Sequence, residues 1–546
     1  MSTLSYLMAF AVALALSMLI IPVMIRFAPA LGMLDEPDER KVHAHPIPRV
    51  GGIGIVVGSL IPLYFILGVA EPQHMYFFWG ALVLLVFGAW DDSCELGHYV
   101  KFIGQFLAVV PLVYLGDIYV THLPLMGLEP ISDTAGRLFT VVALIGMINA
   151  MNHSDGLDGL AGGESLLSLG CLIYLAYLGG GDELVLIGLA TVGGVFGFLR
   201  FNSHPARIFM GDSGSQFLGF VLGYVAIDLT QNVNPALSPA IPALILGLPV
   251  ADIIAVLAQR AYQKMNWFKA TKNHIHHRLL EVGFDHYSSV VVIYAVHAAL
   301  VLSALVLGYA GDGLILSIYL GVCVVIFGLL GLAARSDWKV GSASGETWVS
   351  RLVQSRTGQA VIVGWPTLIV RIGLPLVLVG TSLAVDAVPI DFTMGSSLLL
   401  LGMVATIVMP SMRSTINRGA IYIAVGFIVF LCEISPSPFY LEWAFLEKTV
   451  YAILAAMVAM GVRYERNRFF TVTPMDFLVV VGVIVVGFMS ELEVQQYYID
   501  VVLIKMIILY YGCELIIATR KKAFDILWFG VSISLSVITF KGFIAL

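Results

Sequence analysis

Runs of about 20 apolar residues recur from one end of this chain to the other. Nothing else in the sequence limits the fold as tightly, because a helix needs that length to cross the hydrocarbon of a bilayer. Examples are "LSYLMAFAVALALSMLIIPVMI" (4–25), "HMYFFWGALVLLVFGAW" (74–90) and "GLILSIYLGVCVVIFGLLGLAA" (313–334). Lipid offers backbone groups no hydrogen-bond partner, so these runs must be helices. Of the 546 residues, 59% are hydrophobic and 12% are charged, against about 25% charged in a soluble domain. The expected fold class is an all-α polytopic membrane protein.

Eleven spans are expected before residue 336, near 4–26, 50–69, 74–90, 102–120, 137–151, 159–178, 182–200, 213–230, 236–258, 288–309 and 313–335. The first reads as a retained helix. Its apolar run is too long for a signal peptide, and no basic segment precedes it. A polar stretch, 336–363, reads as a cytoplasmic linker. About seven more spans follow in 364–546, near 364–385, 394–411, 418–435, 447–462, 475–491, 497–518 and 524–545. This tail reads as a second membrane domain without a dense polar cluster. Within it Arg371, Asp500 and Lys505 are either intramembrane ionisable groups, a functional hint, or, the preferred reading, side chains snorkelling near span ends.

Basic residues orient the first domain. The loops 27–49, 91–101, 152–158, 201–212 and 259–287, with the adjoining helix ends, hold twelve Lys and Arg, and the opposite loops hold Arg137 alone. Positive residues stay in the cytoplasm, so the N-terminus is expected outside and these five loops inside. The net charge of −7 carries little weight, since most of the surface faces lipid, and no nucleic-acid partner is expected. The five scattered cysteines form no paired spacing, which argues against disulfides or a thiolate metal site.

The chemically loaded stretches all lie in those five loops. A transporter would carry its polar sites at the membrane midplane. Polar loops gathered at one interface favour an enzyme whose substrate has one foot in lipid. Asp91 and Asp92 are either an ordinary solvated turn or a pair that wants a hard divalent cation. Lys101 either holds a phosphate or marks a helix end. Asn149, Asn152, Asp155 and Asp158 are spaced by three, which would place all four on one face of a helix, the alternative being a polar helix cap followed by a loop. Gly156 and Gly159 mark a break or turn there. In "FMGDSGS" (209–215), Asp212 or Ser213 would cap a helix starting near Gly214, at a terminus that also suits an anion or its metal. "HIHH" (274–277) lacks the HExxH pattern, and with Arg278 it suits phosphate better than zinc. "GGIGIVVG" (51–58) lies in a span, where small residues serve helix packing. His297, alone in an apolar run, reads as a satisfied core histidine.

"DD" followed by Lys, then "NAMNHSDGLDGLAGG" (149–163), "RIFMGDSGS" (207–215) and "HIHHRL" (274–279), in this order, resemble the polyprenyl-phosphate N-acetylhexosamine-1-phosphate transferases. The resemblance covers roughly residues 1–335. The histidine motif looks more like the undecaprenyl-phosphate GlcNAc-1-phosphate transferase branch than the peptidoglycan branch. Thr271 and Lys272 depart from the acidic residue and Arg often found before these histidines.

The resemblance implies transfer of an N-acetylhexosamine-1-phosphate, GlcNAc-1-P foremost, from a UDP-sugar to undecaprenyl phosphate. UMP is released, as the first membrane step of cell-envelope polysaccharide synthesis. It implies Mg2+, with Mn2+ as substitute, on Asn152 and Asp212. Asp91, Asp92 and Lys101 become the catalytic group, the acids acting as base or only positioning phosphate, and Lys101 holding the lipid phosphate. Asp158 and Phe209 would bind uracil, and His274, His276, His277 and Arg278 the pyrophosphate or sugar. Asn149, Asp155 and Arg49 complete the substrate-binding set. The expected location is the cytoplasmic face of a bacterial inner membrane, and small-residue helix faces would allow a homodimer. The alternatives are a transporter or lipid flippase, or the same chemistry on another UDP-sugar.

Overall fold

The computed structural model describes residues 3–36, 45–127, 129–265, 273–336, 339, 364–407, 413–442, 444–464, 499–519 and 521–544. These fall into two compact units, one within Met1–Ser342 and the other from Ala343 onward. The first contains α1 (Thr3–Phe27), α2 (Gly51–Leu67), α3 (Pro72–Cys94), α4 (His98–Tyr114), α5 (Asp133–Ser154), α6 (Leu160–Leu178), α7 (Asp182–Asn202), α8 (Gly211–Asp228), α9 (Pro242–Ile245), α10 (Gly247–Tyr262), α11 (Ile275–Val282), α12 (His286–Leu307) and α13 (Asp312–Arg335). The sheet content is one pair of two-residue strands, Leu34–Asp35 and Ile47–Pro48, antiparallel with Leu34 opposite Pro48.

Among the described residues, nine helices are long and apolar enough to cross a membrane, and four shorter apolar helices accompany them. The chain is an all-α, multi-pass membrane protein. One expected span differs. The run 236–258 breaks at Leu246 into α9 and α10, because Pro242 and Pro249 each remove a backbone donor and Gly247 sits between them. The segment 475–491 lies outside the described residues, as do Thr271 and Lys272.

α8 is the axis of the first unit. α2, α3 and α5 all pack on it, and every residue from Ser213 to Asp228 is buried. Glycines permit this enclosure. A Cβ on Gly219 would lie 2.6 Å from the Cα of Ile148 on α5, and one on Gly88 would lie 2.4 Å from the Cα of Ser213. The small residues of α2 do serve packing. A Cβ on Gly52 would meet the backbone nitrogen of Gly214 at 2.1 Å. Without a hydrophobic drive between helices in lipid, such backbone approach supplies the dispersion that holds them.

The second unit comprises α14 (Trp365–Ala384), α15 (Ile390–Ala405), α16 (Arg413–Ile434), α17 (Pro438–Glu442), α18 (Ala444–Tyr464), α19 (Ile499–Thr519) and α20 (Lys521–Ile544). Leu374, Ile421, Val425, Leu509 and Leu535 lie in its core. It holds a buried polar cluster that contradicts the reading of a tail without one. Lys505 does not snorkel. It is 7% exposed, pairs with both Glu433 and Glu447, and sits 5.3 Å from the centre of the Tyr451 ring. The apolar pattern hid this, because each partner comes from a different helix. The side chain of Asp500 lies outside the description, and Arg371 is half-buried with its Nε unpartnered.

Gly52→Ala is expected to lower stability by about 1–3 kcal/mol, since the new methyl meets main chain that cannot swing aside. Gly146→Ala, with nothing within 4 Å, is the matched control. Thermal unfolding of the two variants in detergent checks the difference.

Candidate active site

The N-terminus of α8 is held by a carboxylate from another helix. Both oxygens of Asp92, at the end of α3, are used there. Oδ1 accepts from the Asp212 amide at 2.7 Å, and Oδ2 accepts from the Ser213 amide at 3.2 Å and the Ser213 hydroxyl at 2.9 Å. The first amides of a helix have no partner within it, and a buried carboxylate facing the positive end of the helix satisfies them. Gly211 makes the approach possible. Its φ is +72°, and a Cβ there would lie 2.5 Å from Asp92 Oδ1. The expected cap, Asp212 or Ser213, is therefore replaced by Asp92, and the helix begins at Gly211 rather than near Gly214.

Capping α8 in this way presents Asp212 beside two other elements. Lys101 Nζ, on α4, lies 2.7 Å from Asp91 Oδ2 and 2.8 Å from Asp212 Oδ2. Asn152 Nδ2, near the end of α5, donates to Asp212 Oδ1 at 3.0 Å and to Ser215 Oγ at 2.9 Å. Gln216 donates to Asp212 Oδ2 at 3.1 Å. Gln105 bonds Gln216 at 3.3 Å, and Asn149 bonds Gln105 at 2.9 Å. Two carboxylates thus share one ammonium, with that of Asp92 close by. An excess of buried negative charge with amide and carboxylate oxygens is the donor chemistry that hard divalent cations take.

α5 ends at Ser154, so only Asn149 and Asn152 share its face. Asp155 and Asp158 lie in the turn beyond, which Gly159 closes at φ +79°. The four-residue stripe expected from the spacing is therefore halved, because the helix stops. Asp155 is half-buried, and burial followed by the charges of Asp212 and Asp158 pushes its carboxyl up to about 7.

Asp158 faces a second group. Its Oδ2 lies 2.6 Å from His204 Nδ1, accepts from the Ala206 amide at 3.0 Å, and lies 3.9 Å from His286 Nε2. Phe209 belongs to the same segment between α7 and α8. Its backbone is clamped to the short sheet, donating to Pro48 and accepting from Gly51. Arg49 does not join the carboxylates around Lys101. It pairs with Asp35 and lies 3.8 Å from Glu95, tying the strand pair to the turn after α3.

The histidines form a third group. Asp252, on α10, accepts from His274 Nδ1 at 2.8 Å and from the Ile275 amide at 2.9 Å, capping α11. His274 stacks on His153 at 5.1 Å, and His276 lies 4.2 Å from His277. Arg278 donates to Gln259 at 2.8 Å. A Cβ on Gly156 would lie 2.2 Å from His276 Nε2, so only glycine lets α11 reach the turn after α5. Burial, then the neighbouring charges of His277, His274, His153 and His286, lowers the His276 pKa to about 3. It is neutral near pH 7, with one donor and one acceptor nitrogen. This narrows the expected donor-rich patch. His297 is buried, with Nε2 2.9 Å from Ser168 Oγ.

Sequence reasoning missed Gln105, Gln216, Asp252, His153, His204 and His286. Two left a signal: Gln105 and Gln216 each follow a singled-out residue, Lys101 and Asp212, by one helical turn. The other four needed the fold.

Fold and site together define a polytopic membrane protein with a carboxylate, lysine and amide site where four helix ends meet. The pattern of glycosyl transferase family 4 matches residues 74–230. The chain is 33% identical over 322 residues to a probable undecaprenyl-phosphate N-acetylglucosaminyl 1-phosphate transferase of Bacillus subtilis (strain 168), covering 58% of this chain and 89% of that protein. It is 32% identical over 300 residues to a decaprenyl-phosphate N-acetylglucosaminephosphotransferase of Mycobacterium tuberculosis (strain ATCC 25618 / H37Rv), covering 49% and 74%. It is 28% identical over 324 residues to the undecaprenyl-phosphate alpha-N-acetylglucosaminyl 1-phosphate transferase of Escherichia coli (strain K12), covering 58% and 87%. The chain belongs to glycosyl transferase family 4.

The raised pKa of Asp155 has a sign that stability measurements will read. A carboxyl lifted in the folded state favours folding while protonated, and that advantage fades as pH rises through about 7. Relative to Asp155→Asn, the native protein should lose thermal stability between pH 5 and pH 7 and then level off. A pH-independent difference would contradict the buried, charge-crowded setting of Asp155.

Proposed function

We propose that the chain transfers N-acetylhexosamine-1-phosphate, GlcNAc-1-phosphate foremost, from a UDP-sugar to undecaprenyl phosphate and releases UMP. The observation that carries this is the meeting of Asp91, Lys101, Asn152 and Asp212 within hydrogen-bond reach at the α8 N-terminus. The names of the relatives support the same class of reaction. The basic-residue tally favours the cytoplasmic face of a bacterial inner membrane, and the relatives' bacterial origin agrees. Such a product would begin a cell-envelope polysaccharide. Residues 1–335 form the catalytic part in this reading, 336–363 a linker, and 364–546 an additional membrane domain.

An oxygen of the lipid phosphate attacks the β-phosphorus of the UDP-sugar. The bond from that phosphorus to the oxygen bridging to UMP breaks, and UMP leaves with the electron pair. Both reactants are anionic, so the site must bring them together and spread the charge. Lys101 exchanges a carboxylate partner for the lipid phosphate. Asp212 and the amide oxygen of Asn152, with Asp91 nearby, are the groups that would hold Mg2+ or Mn2+, which would supply charge neutralisation for the pyrophosphate. Asp158 and Phe209 would contact the uracil, and His274, His276, His277 and Arg278 the pyrophosphate or sugar. Asp92 acts by positioning, because both its oxygens are committed to α8. A phosphomonoester has its second pKa near about 6, so the attacking phosphate needs little help from a base.

Incubating the purified protein with radiolabelled UDP-sugars and undecaprenyl phosphate tests the reaction. Asp212→Ala is expected to abolish Mg2+-dependent UMP release while membrane insertion stays normal, and an active variant would sink the metal assignment. Asp92→Asn should lower the rate yet leave the acidic limb of the pH–rate profile in place. A chain ending at residue 335 should remain active if the tail is a separate module.

A further inference from the structure

Three donors from three separate segments converge on one side of the turn after α5. Asp158 comes from that turn, His204 from the loop after α7, and His286 from the first residue of α12. Their ligand atoms all lie within 4.8 Å of one another, and the two imidazole rings stack at 4.3 Å. Nε2 of His286 is buried and makes no hydrogen bond. A buried polar atom left in that state costs about 1–3 kcal/mol, so a partner is missing on the side where Asp158 and His204 stand. The Ala206 amide donates to the same Asp158 oxygen at 3.0 Å and so orients the carboxylate, as outer hydrogen bonds do around metal ligands.

We propose that Asp158, His204 and His286 bind a divalent transition-metal ion, Zn2+ foremost, at a site distinct from the Asp212 cluster. Two imidazole nitrogens and one carboxylate oxygen match Zn2+ rather than Mg2+, which prefers oxygen throughout. Zn2+ sits about 2.0–2.2 Å from such donors, so tetrahedral ligands lie roughly 3.3 Å apart. The present 2.6 Å and 3.9 Å spacings bracket that value. The exposed His204 side chain, 44% accessible, is free to adjust, and its exposure leaves a fourth position open to water. This goes beyond the transfer reaction. A bound ion would pin the segment between α7 and α8 to α12 and occupy the carboxylate of Asp158. Zn2+ and the nucleotide would then compete for Asp158.

The test uses the full chain in detergent, stripped with chelator and titrated with Co2+ and then Zn2+. The wild type should develop the visible absorption of low-symmetry Co2+ and lose it as Zn2+ displaces the ion. His204→Asn and His286→Gln should each weaken binding by more than about tenfold, with thermal unfolding confirming that they fold. His276→Ala should bind as the wild type does. Absence of Zn2+ binding in the wild type would overturn the proposal. So would binding unchanged in a folded His204→Asn, or binding lost only in His276→Ala.

Discussion

The architecture of the site depends on one carboxylate that caps a helix it does not belong to. Asp92 closes the N-terminus of α8, and α8 is the helix around which α2, α3 and α5 pack. A helix end in a membrane protein cannot leave its amides bare. Satisfying them from α3 fixes the rotation and depth of α8 against its neighbours. That places Asp212 beside Lys101 and Asn152. The glycines at 52, 88, 211 and 214 follow from the same demand, because any side chain there would push the backbones apart.

The site balances opposing electrostatic terms. Asp91 and Asp212 are brought together on Lys101, with Asp92 beside Asp212 at the start of α8. Asp92 is stabilised by peptide dipoles, Asp91 also accepts from the Leu96 amide at 2.6 Å, and Asp212 gathers side-chain donors. Each negative charge therefore has a local answer, yet the total stays negative. Such a site takes a cation readily and accepts an anionic substrate only with one. Asp155, pushed up first by burial and then by the charges of Asp212 and Asp158, registers part of the same imbalance. The neutral His276 is set differently, by burial and then by the neighbouring histidines.

Much of the fold was legible because lipid leaves few choices. Apolar length predicted the helices, and ten of the eleven expected spans of the first unit appear as continuous helices. The exception, 236–258, needed knowledge of where two prolines and a glycine bend a chain that hydropathy treats as uniform. The polar residues 91, 92, 101, 152 and 212 were visible as motifs and were expected in loops, whereas the structure puts each at a helix end. Their separation from Asp158, which turns to His204 and His286, was not, because the end of α5 at Ser154 cannot be read from a three-residue spacing. The resemblance put Arg49 in the substrate-binding set, yet its geometry ties it to Asp35. In the tail, Lys505 looked like a lone charge near a span end, and only folding revealed two glutamates from other helices around it.

By itself the sequence determined that this chain must cross a membrane repeatedly and gather many of its amides, acids and histidines in a few polar motifs near the ends of apolar runs. Hydropathy and composition are local, and the bilayer enforces them directly. Tertiary structure decided which acid caps and which stays available, which histidines are neutral, and which residues share a cluster. Those outcomes depend on contacts between segments 40 to 120 positions apart. The strength of a charge or a hydrogen bond is set by what surrounds it, and here the surroundings come from other helices.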